Sequence, residues 1–237
     1  MKIAVINFSG NTGKSTVSKH LLYPRLKDAE YIAVESINAD EGEGEGEGEG
    51  GSVRGKQFGA LQEQLLVMDS AVIDVGSSNV EDFVKLMRQY RGSHEDMDLF
   101  VIPTVKEAKQ IKDTIATIQA LAAMDVSAKK IRVVFNKLEA DDTVEDAFYP
   151  LIAFHQDTKS FTLRPAAAIQ YSELFQRLRA LNVTIGDLVS DTTDYKALLR
   201  EAKTPEDKQA IAAKISAKRL AASAQENLDS VFAVLTK

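Results

Sequence analysis

The chain has 237 residues, of which 44% are hydrophobic and 27% charged; this globular composition excludes disordered, collagen-like and coiled-coil proteins. It has no cysteine and only three histidines, so disulfides, cysteine nucleophiles and cysteine zinc sites are excluded, and the scattered histidines give no metal-ligand spacing. The formal net charge of −6 argues against a protein that coats nucleic acid. Because no apolar run approaches the roughly 18 residues of a membrane span, we expect a cytoplasmic protein without one.

Apolar, strand-like runs alternate with amphipathic, helix-like stretches along the chain as far as Asn136. Strands that are apolar on both sides need helices on both faces of their sheet. We therefore predict an α/β fold with a doubly wound, mainly parallel sheet. The predicted strands are 2–7, 31–37, 71–75, 98–103 and 131–136, and the predicted helices are 15–22, 56–67, 80–87 and one that carries Ile111, Ile115 and Ile118.

The pattern changes after Asn136. One weak strand, KSFTL at 159–163, precedes helical stretches at 168–181 and 204–235. Thr204 stands directly before Pro205 at the start of the last stretch, as expected of a helix N-cap.

We predict two structural regions from these patterns. Residues 1–190 form the larger domain, and residues 191–237 form an appended helical region. The alternating Glu-Gly tract at 41–51 offers neither a helical nor a strand face to bury, so we expect a flexible acidic loop there. It is either a switch or partner-binding segment or a repeat that solvent tolerates.

The segment SGNTGKST at 9–16 lies between a predicted strand and a predicted helix. Consecutive backbone N–H groups in such a loop form a concave site for phosphate oxygens, which makes this a predicted phosphate-binding loop. Lys14 is placed to contact the β and γ phosphates of a nucleotide, and the Ser15 hydroxyl to bind Mg²⁺. The full motif has glycine where this chain has Phe8. The predicted nucleotide-binding residues of the loop are Gly10, Asn11, Thr12, Gly13, Lys14, Ser15 and Thr16.

A second candidate element is AVIDVG at 71–76. An acidic side chain at the carboxyl end of an apolar strand lies at the sheet edge where ligands bind. Asp74 is therefore the second predicted magnesium residue, acting through water, and Gly76 is placed to offer its N–H to the γ phosphate. The alternative is an aspartate that caps a turn after a core strand.

Several motifs together resemble the ParA/MinD group of partition and positioning ATPases. They are NFSGNTGKST, VESINADEGEG, AVIDVGSSNVEDF, QYRGSHED, VIPT and VVFNK, and they cover most of residues 1–140. The resemblance implies a P-loop domain of the SIMIBI type that binds ATP and Mg²⁺ and acts as a switch in plasmid or chromosomal DNA placement. It implies Lys14 and Asp40 as catalytic residues, with Asp40 orienting the attacking water, and Asn136 as a contact to adenine.

The chain departs from this family at Ser9, where the family carries a signature lysine that reaches the partner subunit's nucleotide. We therefore predict slow hydrolysis, and we still expect a nucleotide-dependent homodimer. One alternative is a sensor that binds the nucleotide without hydrolysing it. A second is a P-loop kinase or ligase-type relative, although the sequence shows no matching substrate constellation.

The segment NKLE at 136–139 nearly matches the NKxD sequence with which GTPases read guanine. Glu139 is one methylene longer than the required aspartate, so we favour ATP and keep GTP as the alternative. Asn136 alone could also be a strand-ending asparagine in a turn.

The last predicted helix has no acidic residue from 208 to 219. Its basic side chains give either a solvated face or a site for non-specific contact with the DNA backbone. The expected partners are thus ATP, a second copy of the chain, a DNA-bound protein and DNA itself. The basic residues are Lys208, Lys214, Lys218 and Arg219.

Overall fold

A computed structural model describes residues 1–35, 52–54 and 58–237 of the chain. The predicted catalytic residue Asp40 and the Glu-Gly tract at 41–51 lie outside these described residues. Among the described helices, none combines the length and the apolar character that crossing a membrane requires.

The described chain forms a seven-stranded sheet with the strand order β3-β2-β4-β1-β5-β6-β7. Every strand pair in it is parallel. The first strand lies between the fourth and the fifth, where the chain passes from one half of the sheet to the other. The strands are β1 Lys2–Val5, β2 Glu30–Glu35, β3 Ser52–Arg54, β4 Ala71–Val75, β5 Leu99–Thr104, β6 Ile131–Leu138 and β7 Ala168–Gln170.

Helices connect the strands, as the parallel arrangement requires. The first helix, α1 at Lys14–Thr16, continues as a π-helix over Val17–Leu22 and then as a 3₁₀ turn over Tyr23–Arg25. The remaining helices are α2 Phe58–Val67, α3 Val80–Gln89, α4 Ala108–Ala122, α5 Val144–Ala147, α6 Tyr149–Thr158, α7 Leu174–Leu181, α8 Ile185–Ser190, α9 Tyr195–Glu201 and α10 Pro205–Leu235.

Two apolar clusters cover the two faces of the sheet. One joins β-strand side chains to helices α2, α3, α4 and α6, with Phe83, Ile118 and Leu151 among its buried members. The other joins the opposite strand faces to the segment 17–22 and to helices α7, α8 and α10. Since helices cover both faces of a parallel sheet, the predicted doubly wound α/β class is confirmed.

The C-terminal helix α10 begins as the sequence predicts, because the Thr204 hydroxyl accepts a hydrogen bond from the Asp207 N–H at 3.1 Å. Its stripe of buried side chains belongs to the second apolar cluster. The predicted boundary between residues 190 and 191 stays a prediction.

Two predictions in the C-terminal half were wrong. The segment 159–163 forms only a single bridge, between Thr162 and Arg132, and not a strand. The stretch 168–181 is not one helix, because Ala168–Gln170 extends the sheet as β7 and the helix starts at Leu174. Both errors concern short segments in which one or two contacts with β6 decide the conformation.

Candidate nucleotide-binding site

The loop after β1 turns sharply before the first helix. Asn11 and Gly13 both have positive φ angles, 61° and 90°. At Gly13 a Cβ atom would lie 2.0 Å from the Asn136 Nδ2 atom, so only glycine allows the loop to pass this closely to β6. The glycine in GKST is therefore required by the contact with Asn136 as well as by the left-handed backbone.

Asn7 anchors the start of the loop through hydrogen bonds of its side chain. Its fully buried side chain donates to the Pro103 carbonyl at 2.9 Å and to the Thr114 hydroxyl at 2.8 Å. Its Oδ1 atom accepts from the Ser9 N–H at 2.8 Å. The loop is thereby tied to the end of β5 and to α4, and these ties involve residues about a hundred positions apart in the chain.

Lys14 lies inside the loop and is only 8% exposed. Its ammonium group donates to the Ser9 carbonyl at 2.7 Å and to the Asn7 carbonyl at 3.1 Å. Burial lowers the pKa of Lys14 from 10.5 to about 8, and the negative charge of Asp74 partly offsets this effect. An ammonium has three N–H donors, so one remains for a ligand.

Asp74 stands near the end of β4 and is buried, with 6% exposure. Its Oδ2 atom accepts a hydrogen bond from the Tyr31 hydroxyl at 2.7 Å. Its Oδ1 atom is buried and has no hydrogen-bond partner in the described structure. A buried carboxylate oxygen without a partner is costly, and a bound ion or water would satisfy it.

Two adjoining cavities flank the loop. The first has a volume of about 350 Å³, and polar groups from the loop, α1, β2 and β4 line it. The second, about 300 Å³, lies between the loop, the end of β6 and the segment that leads into α7. Asn11, Gly13 and Thr16 line both cavities. A ligand with a charged end and a larger uncharged end could therefore occupy both cavities at once, in contact with the loop that they share.

Most of the predicted loop and strand residues converge on these cavities. Gly10 and Thr12 do not line either one, and the buried Thr12 hydroxyl has no hydrogen-bond partner within the described part of the chain. Phe8 also stays out of both, since its ring packs against the first apolar cluster. The predicted residues that line the first cavity are Asn11, Gly13, Lys14, Ser15, Thr16, Asp74 and Gly76.

Two predicted contacts are already engaged within the protein. The Gly76 N–H donates to the Val34 carbonyl at 3.0 Å, so it is occupied in this conformation. Asn136 lines the second cavity, but its Nδ2 atom donates to the Thr12 carbonyl at 2.9 Å. Its Oδ1 atom accepts from the Lys137 N–H at 2.9 Å. Asn136 therefore holds the loop against β6, in addition to any contact it makes with a base.

The site fits Mg²⁺ and a nucleoside triphosphate on three observations. These are the orphaned Asp74 oxygen, the buried Lys14 ammonium, and a loop so close-packed that Gly13 has no room for a side chain. Among the described residues, no group of three or more acidic or histidine side chains is placed to hold a metal ion. A divalent ion here would thus depend on Ser15, Asp74 and the phosphates themselves.

The four basic residues of α10 differ in their surroundings, and their role in DNA contact stays a prediction. Lys218 donates to the Asp191 carbonyl, and the Lys214 ammonium lies 5.9 Å from the centre of the Tyr195 ring. Both therefore hold the segment before and within α9 against α10. Lys208 and Arg219 are exposed and, being eleven residues apart, lie on one side of the helix.

Three parts of the site could not be predicted from the sequence. They are the Asn7 anchor, the Tyr31 contact with Asp74, and the wall of the second cavity formed by Gln170, Tyr171 and Ser172. Each depends on strand register or on β7, whose segment had been predicted as helix. Asn7 is the first residue of the motif NFSGNTGKST, but the residues around it in the sequence do not indicate its hydrogen-bond partners.

No protein-family model matches the chain, and no curated protein matches it significantly. Solved structures do resemble it. Apo McdA from Cyanothece aligns with a TM-score of 0.54 and 13% identity over 91% of this chain and 98% of its own. A Cyanothece McdA variant in complex with ATP aligns with a TM-score of 0.50 and 13% identity over 92% of this chain and 96% of its own. The chain therefore shares the fold of these McdA structures, at low sequence identity.

Proposed function

We propose that the chain is an ATP- and Mg²⁺-binding switch protein that hydrolyses ATP slowly. The observation that carries this proposal is the ammonium of Lys14, buried inside a glycine loop and facing a polar cavity that also contains the unpartnered Asp74 oxygen. Among the described residues, this buried cation has no anionic hydrogen-bond partner, and phosphate oxygens would supply one. The solved complex of a McdA variant with ATP, which has a similar fold, supports this proposal.

The chemistry proposed is attack of water on the γ phosphate. Lys14 binds and neutralises the phosphates, Ser15 and Asp74 hold the ion, and the loop amides fix the transferred group in position. Bound Mg²⁺ supplies additional charge neutralisation on the β and γ oxygens. We propose that Asp40 orients the attacking water. Ser9 stands where the family carries its signature lysine, so we expect the rate of ATP hydrolysis to be low.

We favour adenine as the base. Glu139, the residue that a guanine site would need, is exposed and does not line the second cavity. Its backbone N–H donates to the Asp142 carboxylate at 3.2 Å. The second cavity offers amide and hydroxyl groups from Gln170, Ser172 and Gln176, which suit the neutral edge of adenine.

The cellular role we propose is DNA partitioning, stability or positioning, and we propose the plasmid stability protein StbB as one protein with similar motifs. The proposed partners are a second copy of the chain, bound when ATP is present, and a DNA-bound protein. Non-specific DNA contact would rest on Lys208 and Arg219, since Lys214 and Lys218 are engaged with the α8–α9 segment. The protein would be cytoplasmic.

Lys14→Ala tests the proposal, with the exposed Lys112→Ala in α4 as a matched control. We expect calorimetry with MgATP to show binding for the wild type and Lys112→Ala but a loss of at least about a hundredfold in affinity for Lys14→Ala. Phosphate release should fall with it. Undiminished binding and turnover in Lys14→Ala would refute the proposal, and parallel titrations with GTP would decide between the two bases.

A non-hydrolysing sensor is the second candidate, favoured by Ser9 in place of the family's lysine. Single-turnover measurements with labelled ATP separate the two. A sensor returns ATP unchanged from a complex that forms normally, whereas the proposed switch yields ADP and phosphate.

A further inference from the structure

Tyr31 contacts the candidate magnesium residue from the neighbouring strand. In the β2–β4 pair Tyr31 lies opposite Val72 and Ala33 opposite Asp74, so Tyr31 and Asp74 share one face of the sheet and are diagonal neighbours. The phenol hydroxyl bridges this diagonal and donates to Asp74 Oδ2 at 2.7 Å. Tyr31 also lines the first cavity, beside Asp74 and the phosphate-binding loop.

This bond gives the two oxygens of the Asp74 carboxylate different surroundings. Oδ2 accepts the hydrogen bond from Tyr31, and Oδ1 is buried and has no hydrogen-bond partner among the residues that the structure describes. Because a carboxylate is planar, fixing Oδ2 also fixes where Oδ1 points. A buried acceptor held in one orientation is arranged in advance for a ligand, and loses less orientational freedom when that ligand binds.

Aromatic and cationic neighbours hold the Tyr31 ring itself. The Tyr23 ring meets it edge-on, with the two ring centres 5.7 Å apart. The Lys19 ammonium lies 5.5 Å from the ring centre. Tyr23 and Lys19 both belong to the helical segment that follows the phosphate-binding loop, so the loop, its helix and Asp74 are connected through this ring.

We propose that Tyr31 is a positioning residue that orients Asp74 for a divalent cation bound together with the nucleotide. The inference rests on the proposed function, since it concerns the same site. Tyr31 touches neither the phosphates nor the cation in this role; it acts through the Asp74 carboxylate. Removing its hydroxyl frees the carboxylate to rotate and leaves a second buried oxygen without a partner.

Tyr31→Phe removes the hydroxyl and keeps the ring, and Tyr23→Phe makes the same change on the neighbouring ring, which does not line the first cavity. Calorimetry would measure ATP affinity with EDTA and with MgCl₂, and Mg²⁺ would then be titrated into the ATP-loaded protein. For Tyr31→Phe we expect ATP affinity without Mg²⁺ to stay within about twofold of wild type. We expect the Mg²⁺ concentration for half-saturation to rise by about tenfold or more, as is common when a hydrogen-bond partner of a metal ligand is lost.

The outcomes separate the alternatives. Equal losses of affinity with and without Mg²⁺ would show that Tyr31 only supports the fold, and an unchanged or lower half-saturating Mg²⁺ concentration would also overturn the proposal. A similar rise of the half-saturating Mg²⁺ concentration in Tyr23→Phe would show that the effect is not specific to Tyr31 and would overturn the proposal. If the wild type itself binds no ATP, the proposed function fails; if it binds MgATP normally and Tyr31→Phe does too, only the role of Tyr31 fails.

Discussion

Lys14 carries an electrostatic cost in the ligand-free protein. Its ammonium group is buried against two backbone carbonyls, and burial lowers its pKa from 10.5 to about 8 despite the attraction of Asp74. A protein rarely buries a cation without an anionic partner unless the position serves binding or catalysis. The cost thus belongs to the ligand-free state, and bound phosphates would remove it.

The shift makes the stability of the ligand-free protein depend on alkaline pH. The unfolded chain keeps the Lys14 proton up to about pH 10.5, whereas the folded chain releases it near pH 8. Between these values the unfolded state binds more protons, so folded-state stability rises with pH in this window. From about pH 7.5 to about pH 9.5 we expect the unfolding free energy of the wild type to gain about 1 kcal/mol relative to Lys14→Met, after allowing for solvent screening.

Urea unfolding of both proteins at the two pH values measures this gain. Subtracting Lys14→Met removes the titration of tyrosines and surface lysines that the two proteins share. Saturating MgATP supplies a second control, because phosphates that hold Lys14 protonated should abolish the gain. A difference between the proteins that is flat in pH, or falls as pH rises, would contradict the assignment of the low pKa to Lys14.

At the scale of elements, Asn136 holds the loop and β6 close together. Gly13 has a φ of 90° and leaves no space for a Cβ beside Asn136, whose amide in turn donates to the Thr12 carbonyl. We expect Gly13→Ala to cost about 3 kcal/mol, from the left-handed backbone and from the clash. In an Asn136→Ala background the clash is absent, and the same change should cost only the backbone strain of about 1 to 2 kcal/mol.

Denaturant unfolding of the wild type, the two single variants and the double variant measures the free energy of unfolding of each, and so the cost of Gly13→Ala in both backgrounds. Gly10→Ala is the matched control: of the described atoms, a Cβ there meets only the Ser77 hydroxyl, at 3.6 Å, so the change should cost less than about 1 kcal/mol. If Gly13→Ala were equally costly in both backgrounds, the contact with Asn136 would not be the reason for this glycine.

Elements with a strong local pattern were predictable from the sequence. Strands β1, β4, β5 and β6 are mainly apolar and buried on both faces, and the capped start of α10 is encoded in Thr204 and its neighbours. The three-residue strand β7 was not predictable, because its hydrogen bonds to β6 and not its own composition decide its conformation. The π-helix over Val17–Leu22 also leaves no mark in the apolar spacing.

The site shows the same division between local and distant information. The phosphate-binding loop and Asp74 can be identified from consecutive residues. The partners that hold them cannot, since Asn7 reaches Thr114 and Asp74 meets Tyr31 only after strands far apart in the chain take their register. Sequence patterns thus indicate the groups that contact the ligand, and the fold determines the groups that orient them.

At the scale of the whole molecule, the C-terminal helix and the phosphate-binding loop share one apolar cluster. Leu228 and Val231 of α10 are buried together with Val17 and Leu21 of the helix that follows the loop. Asn227 adds two hydrogen bonds to the edge strand β7, donating to the Ala168 carbonyl and accepting from the Gln170 N–H, both at 3.0 Å. Stability of α10 and integrity of the site should therefore be coupled.

Leu228→Ala tests this coupling, because Leu228 is 1% exposed and its truncation leaves a cavity beneath the helix. We expect it to lower the free energy of unfolding by about 2 to 5 kcal/mol in a single transition that also abolishes nucleotide binding. Leu198→Ala in α9 is the matched control, since Leu198 is 42% exposed and its truncation should change stability by less than about 0.5 kcal/mol. Circular dichroism and bound-nucleotide fluorescence would follow both variants in urea. Loss of helix signal at a lower urea concentration than loss of the nucleotide would show instead that α10 unfolds by itself, as expected of a separate C-terminal region.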